Sequence, residues 1–192
     1  MWGANLFDPD TGGFYYSNSG RNTEGYLPDI ESTVQILRHF GDSGLFQEIG
    51  GSYGKALPQE IKDKLIKFAQ SLQSSDDGFF YHPQWGEYIL LARRGRDLDW
   101  STDLLANLGA RPLYDAPNGT KGIYGAPGHG AVLPTSSLTS TLQSSSVSGV
   151  SAVIAASTTP DHLKSESAFL SYLNSLDWKN DSYRVGNEVA LD

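Results

Sequence analysis

Thr11-Gly12-Gly13-Phe14-Tyr15-Tyr16, followed by Asp29-Ile30-Glu31-Ser32-Thr33-Val34-Gln35-Ile36-Leu37, sets out a unit that the chain repeats. A Gly-aromatic turn comes first, and a polar Ser-Thr entry into an amphipathic helix comes after it. The second copy reads Asp76-Asp77-Gly78-Phe79-Phe80-Tyr81-His82, then Asp97-Leu98-Asp99-Trp100-Ser101-Thr102 and on to Gly109. A third copy has its turn at Thr120–Gly125 and its helix entry at Leu138–Gln143, and a fourth turn begins at Asn180. Self-similarity on this scale is the mark of helical repeats that bury their apolar faces against one another. The predicted fold is therefore all-α, built from repeated helical hairpins within one domain over residues 1–192.

Two helices stand out between the turns. Ile30, Val34, Ile36, Leu37 and Phe40 form an apolar stripe behind Leu27-Pro28-Asp29, with Gly41 as its stop. Ile61, Leu65, Ile66, Phe68, Ala69 and Leu72 form another behind Pro58-Gln59-Glu60. Residues 160–176 repeat the second stripe with Phe169, Leu170, Tyr172, Leu173 and Leu176. Both of these last helices run directly into a turn, Ser71-Leu72-Gln73 in one case and Ser175-Leu176-Asp177 in the other. The stretch 111–134 is rich in Gly and Pro and reads as an irregular surface loop, and residues 135–159 are rich in Ser, Thr, Val and Ala.

Composition narrows the function classes. A chain of 192 residues with 39% hydrophobic and 11% aromatic content is globular. Its formal net charge of −8 offers no basic surface for nucleic acid or for an anionic membrane. No run of about 20 apolar residues is present to span a bilayer. There is no cysteine, which excludes disulfides, thiolate metal sites and a cysteine nucleophile. The four histidines share no metal-ligand spacing, so neither a metal nor a cofactor is expected. Met1-Trp2-Gly3-Ala4 lacks the basic start and apolar run of a signal peptide, and the compartment is left open between cytoplasm and a bacterial exterior.

The turns and the acidic Ser-Thr helix entries resemble the repeats of α/α toroids. Such toroids occur in terpenoid cyclases and protein prenyltransferases, and related helical barrels occur in polysaccharide lyases and glycosidases. The resemblance implies inner helices around a central cavity, with outer helices packed around them. Asp29-Ile30-Glu31-Ser32-Thr33 and Asp97-Leu98-Asp99-Trp100-Ser101-Thr102 are also similar to the acidic motif of class II terpene cyclases. That likeness implies Glu31 or Asp99 as a catalytic acid. The same acids at a helix start also satisfy orphan amide hydrogens, and their return in each copy favours capping over catalysis. A prenyltransferase zinc site would need a cysteine that this chain lacks.

Candidate ligand contacts lie where the copies differ. Phe80, Tyr81, His82 and Trp85 belong to the densest aromatic cluster and could form a platform for a sugar ring, with Trp100 nearby in sequence. The competing reading buries these rings between turn and helices. Tyr16 and Arg21 in the first turn offer a second set, suited to a carboxylate-bearing sugar. The favoured expectation is a carbohydrate-binding or interaction module; the alternative is part of a toroid enzyme, either cyclase-like or acting on polysaccharide. Expected partners are a glycan or an apolar small molecule. A closed toroid needs about twice the helices counted here, so a missing remainder or self-association is also expected.

Overall fold

The structure is a computed structural model that describes residues 2–46, 51–125, 159–175, 183–185 and 188–190. Helices dominate these residues: α1 (Trp2–Leu6), α2 (Asn18–Arg21), α3 (Ile30–Asp42), α4 (Tyr53–Ala56), α5 (Gln59–Ser71), α6 (Leu91–Asn107) and α7 (Glu166–Ser175). A 3-10 turn, Asp161–Leu163, precedes α7. One departure from an all-α chain is a small antiparallel ribbon, β1 (Tyr183–Val185) with β2 (Glu188–Ala190), in the fourth expected turn. The expected helix entry at Leu138–Gln143 and the loop residues 126–134 lie outside the described residues.

Helix α3 forms where its stripe predicts. Asp29 is its N-cap, and its Oδ1 accepts the Ser32 amide at 2.8 Å while its Oδ2 accepts the Ser32 hydroxyl at 2.8 Å. The helix runs past Gly41 to Asp42, and the chain then turns at Gly44, whose φ of 82° suits glycine. Helix α5 starts after Pro58 as expected and buries Ile61, Leu65, Phe68 and Ala69. Helix α7 buries Phe169 and Leu173.

The second helix entry is different. Helix α6 begins at Leu91, six residues ahead of the Asp97 expected at its start. Asp97 through Thr102 therefore sit mid-helix and cap nothing. The physical reason is that Leu91-Ala92-Arg93-Arg94 are good helix formers, and arginine stems in this first stretch find aromatic faces to cover.

The recurring turn is a common hydrogen-bonding device. In the first copy Asp8 donates its amide to Gly13 O at 2.9 Å and Tyr15 donates back to Leu6 O at 2.8 Å. In the second, Ser74 donates to Phe79 O at 2.8 Å and Tyr81 to Leu72 O at 2.9 Å. Each turn thus folds back on the helix before it and drives one Phe inward: Phe14 is 0% and Phe80 1% exposed. Residues 111–125 hold neither helix nor strand, but they are pinned rather than loose. Gln73 accepts the amides of Leu113 and Tyr114 through Oε1, at 2.8 and 3.0 Å. Its Nε2 donates to Gly78 O and Tyr114 O, at 3.1 and 2.9 Å. One buried amide side chain ties two turns together.

The core runs continuously through these pieces. Helix α1 packs on α7, α5 on both α6 and α7, and α3 on α6. Phe40 of α3 meets Phe14 and Phe169 edge-on, with ring centroids 6.2 Å apart in each pair. No helix among the described residues is long and apolar enough to cross a membrane.

Candidate functional site

The first turn of α3 is where the candidate residues converge. Asp29, only 2% exposed, caps the helix and also faces His82 of the second turn, with Nε2 to Oδ2 at 3.6 Å. The Gln84 amide donates to His82 Nδ1 at 3.2 Å, which makes Nδ1 an acceptor and puts the ring proton on Nε2, toward Asp29. Burial alone would push the Asp29 carboxyl up. The His82 ring and the two Ser32 hydrogen bonds outweigh burial and hold it below the ordinary aspartate value.

Above His82 lies a layered stack. Trp85 sits on the imidazole with centroids 4.1 Å apart, and the Arg93 guanidinium lies 4.5 Å above the Trp85 ring. Arg93 and Arg96 both donate to Oε2 of Glu31, the latter at 2.7 Å. Oε1 of Glu31 accepts from Gln35 at 3.3 Å. Arg38 of α3 and Arg96 of α6 each lie over Trp100, at 4.8 and 5.1 Å. The α3–α6 junction is thus polar and cationic at its edge, with carboxyls beneath.

Several expected ligand contacts are spent on structure. Phe80 and His82 are buried, so the aromatic cluster does not form an open platform. Tyr81 gives its hydroxyl to Asp77 Oδ2, and burial with that bond pushes its phenol up to about 12. Trp100 is covered by the two arginines. Arg21 donates to the Asn5 carbonyl at the end of α1. Of the predicted acids, Glu31 has both oxygens occupied, and Asp99 is exposed and accepts from Asn118 at 3.3 Å. Neither lines either of the two hollows that flank the α3–α6 junction. Trp85 and Tyr16 keep open faces, at 45% and 66% exposure.

Two hollows flank this junction. A cleft of ≈ 370 Å³, open to solvent, is lined by Leu6, Tyr15, Tyr16, Ser32, Gln35, Ile36 and His39. Its floor is the buried Leu6 and Ile36, and its walls carry two phenol rings, a hydroxyl, an amide and an imidazole. On the other side of the α3 start, Ile30, Leu72, Phe80, Tyr81, His82 and Asp97 line a crevice too narrow to hold a water molecule. Asp97 is 3% exposed, and burial pushes its carboxyl up to about 6 despite the charges of Arg96, His82 and Arg93.

The chain has no match among protein families, curated proteins or solved structures.

The sequence named Glu31 and Asp99 as the candidate acids, favoured the rings at Phe80, Tyr81 and Trp85 as ligand contacts, and did not single out Asp97, Ser32 or Gln35 as site residues. Asp97 carried a signal: it aligns with Asp29 in the repeated motif, and one member of such a pair can be buried while the other caps. Among the described residues, no three His, Asp or Glu side chains converge as metal ligands.

Proposed function

We propose that this chain is a carbohydrate-binding module whose ligand lies in the cleft between α1, the Tyr15–Tyr16 turn and α3. The cleft itself carries the reading. Its ≈ 370 Å³ lies at the lower end of the range of small-molecule pockets, roughly 300–1,000 Å³. A sugar presents a C–H face and a ring of hydroxyls. The exposed ring of Tyr16 offers an apolar face, and Gln35 and His39 line the same cleft with polar groups, beside Ser32, whose hydroxyl donates to Asp29. The toroid-like arrangement of repeated hairpins belongs to the same reading and rests on the shared turn geometry of the two copies. A neighbour that covers apolar surface belongs to it too, supported by Tyr88, Leu90 and Leu91 at 98%, 79% and 67% exposure.

The enzymatic reading has thinner support. A catalytic acid needs a free carboxyl facing room for substrate. Glu31 lacks free oxygens, Asp99 faces solvent, and the crevice at Asp97 is too narrow even for water.

Affinity electrophoresis through gels containing soluble polysaccharides tests the module. Retardation of the wild type on at least one polysaccharide is expected, with Tyr16→Ala weakened roughly tenfold or more, in line with loss of one aromatic contact. Because Tyr16 is 66% exposed, its removal should leave thermal stability unchanged. Equal migration of both proteins in every gel would remove the sugar reading.

A further inference from the structure

Besides Arg93 Nε and Arg96 Nε, the buried side-chain atoms that make no close hydrogen bond beside the α3–α6 junction include His82 Nε2, 3.6 Å from Asp29 Oδ2, Asp97 Oδ1 and Ser101 Oγ. His82, Asp97 and Ser101 are 3%, 3% and 0% exposed. Burial of Asp97, with Oδ1 unbonded, makes its charged form costly. The second carboxyl nearby, Asp29, is already held as a carboxylate by its two bonds from Ser32. Like charges sharing a dry site disfavour ionisation of the second group.

The groups facing Asp97 are Arg93 and Arg96 on its own helix, His82 from the second turn and Asp29 at the start of α3. The arginines lean toward solvent, 33% and 35% exposed at their side chains, and both are engaged by Glu31. They soften the penalty on Asp97 without removing it.

We propose that this cluster is a proton-operated latch: with a proton on Asp97 the α3–α6 junction closes, and losing that proton loosens the first turn of α3 and the cleft wall it carries. The connection is short. Asp29 faces His82 on one side and binds Ser32 on the other, and Ser32 lines the cleft. The latch rests on the junction and holds whatever ligand the cleft takes.

The direction in pH follows from the two carboxyls. The folded chain holds the Asp97 proton more tightly than an unfolded chain does. The stability it contributes is therefore fully present below the ordinary aspartate value and is lost as pH rises through about 6. Asp29 works the other way: its contribution is present above the ordinary value and is lost only in acid. Between these limits the junction is tightest.

Hydrogen exchange without ligand tests the latch. Protection of the Ser32 and Thr33 amides, corrected for intrinsic rates, is expected to fall roughly tenfold between about pH 5 and about pH 7.5 in the wild type. In Asp97→Asn, which cannot ionise, it should be the same at both. A carboxyl carbon titration of the wild type supplies a reading that needs no variant, with one aspartate expected to titrate near 6. Constant protection in the wild type, an equal fall in Asp97→Asn, or aspartates that all titrate in the ordinary acid range would each overturn the proposal. Loss of sugar binding in Tyr16→Ala bears on the cleft alone, so the two ideas fail separately.

Discussion

Replacing Phe40 with alanine is expected to destabilise the fold by about 4 kcal/mol. Phe40 is fully buried and sits between Phe14 of the first turn and Phe169 of α7, edge-on to both. Its removal deletes a large apolar surface and leaves a cavity where three elements meet. Collapse into that cavity is hindered, because α3 is anchored at its other end by Asp29 and Glu31. Typical domains are stable by only about 5–15 kcal/mol, so this single change should consume a large part of the margin. Urea unfolding followed by tryptophan fluorescence measures it directly. A loss below about 1 kcal/mol would mean that α3, the first turn and α7 do not share one core.

Gly12→Ala should be nearly as damaging, at about 3 kcal/mol, for a backbone reason rather than an apolar one. Gly12 has φ 85°, which an L side chain adopts only with strain. A Cβ placed there would also lie 2.5 Å from the Lys64 carbonyl oxygen on α5. That atom belongs to a helix backbone and cannot swing aside. Gly78 holds the matching place in the second copy, with φ 75°, and a Cβ there would meet the Asp115 carbonyl oxygen at 2.2 Å. Gly25 provides the control: its φ is 77°, but nothing lies within 4 Å. Gly25→Ala should cost only the strain, about 1 kcal/mol. Similar losses at Gly12 and Gly25 would show that the recurring turn does not press against α5.

These two residues also show what the sequence made legible. The Gly-Phe turn and the stripes of α3, α5 and α7 follow from periodicity and turn chemistry, which act within a dozen residues of chain. Helices α1, α2 and α4 were not legible, because four or five residues have too little propensity to form a helix alone. They exist where packing or a Ser17 cap supports them. The start of α6 was misplaced because Asp97-Leu98-Asp99 copies the form of a helix entry, while the true start at Leu90 and Leu91 carries no capping side chain.

The candidate site was half legible for the same reason. Tyr16 stands out as an aromatic beside a turn, and the structure leaves it open. Phe80 and His82 stand out equally, yet the bond from Tyr81 to Leu72 folds their turn against α5 and buries both. Whether a ring faces water or core depends on that long-range contact. Asp29 and Asp97 occupy the same place in a repeated motif. One caps a helix and the other is buried in the crevice it shares with His82, a difference created only when α3 meets α6.

The most direct test of the central claim is a nitrogen-15 NMR titration of the intact chain with a panel of oligosaccharides of different composition. Binding in the cleft predicts that at least one sugar shifts the amides of Tyr15, Tyr16, Gln35 and His39 in a saturable way, leaving Trp85 through Leu91 still. Shifts confined to Trp85 and Tyr88, or no saturable shift with any sugar, would contradict it.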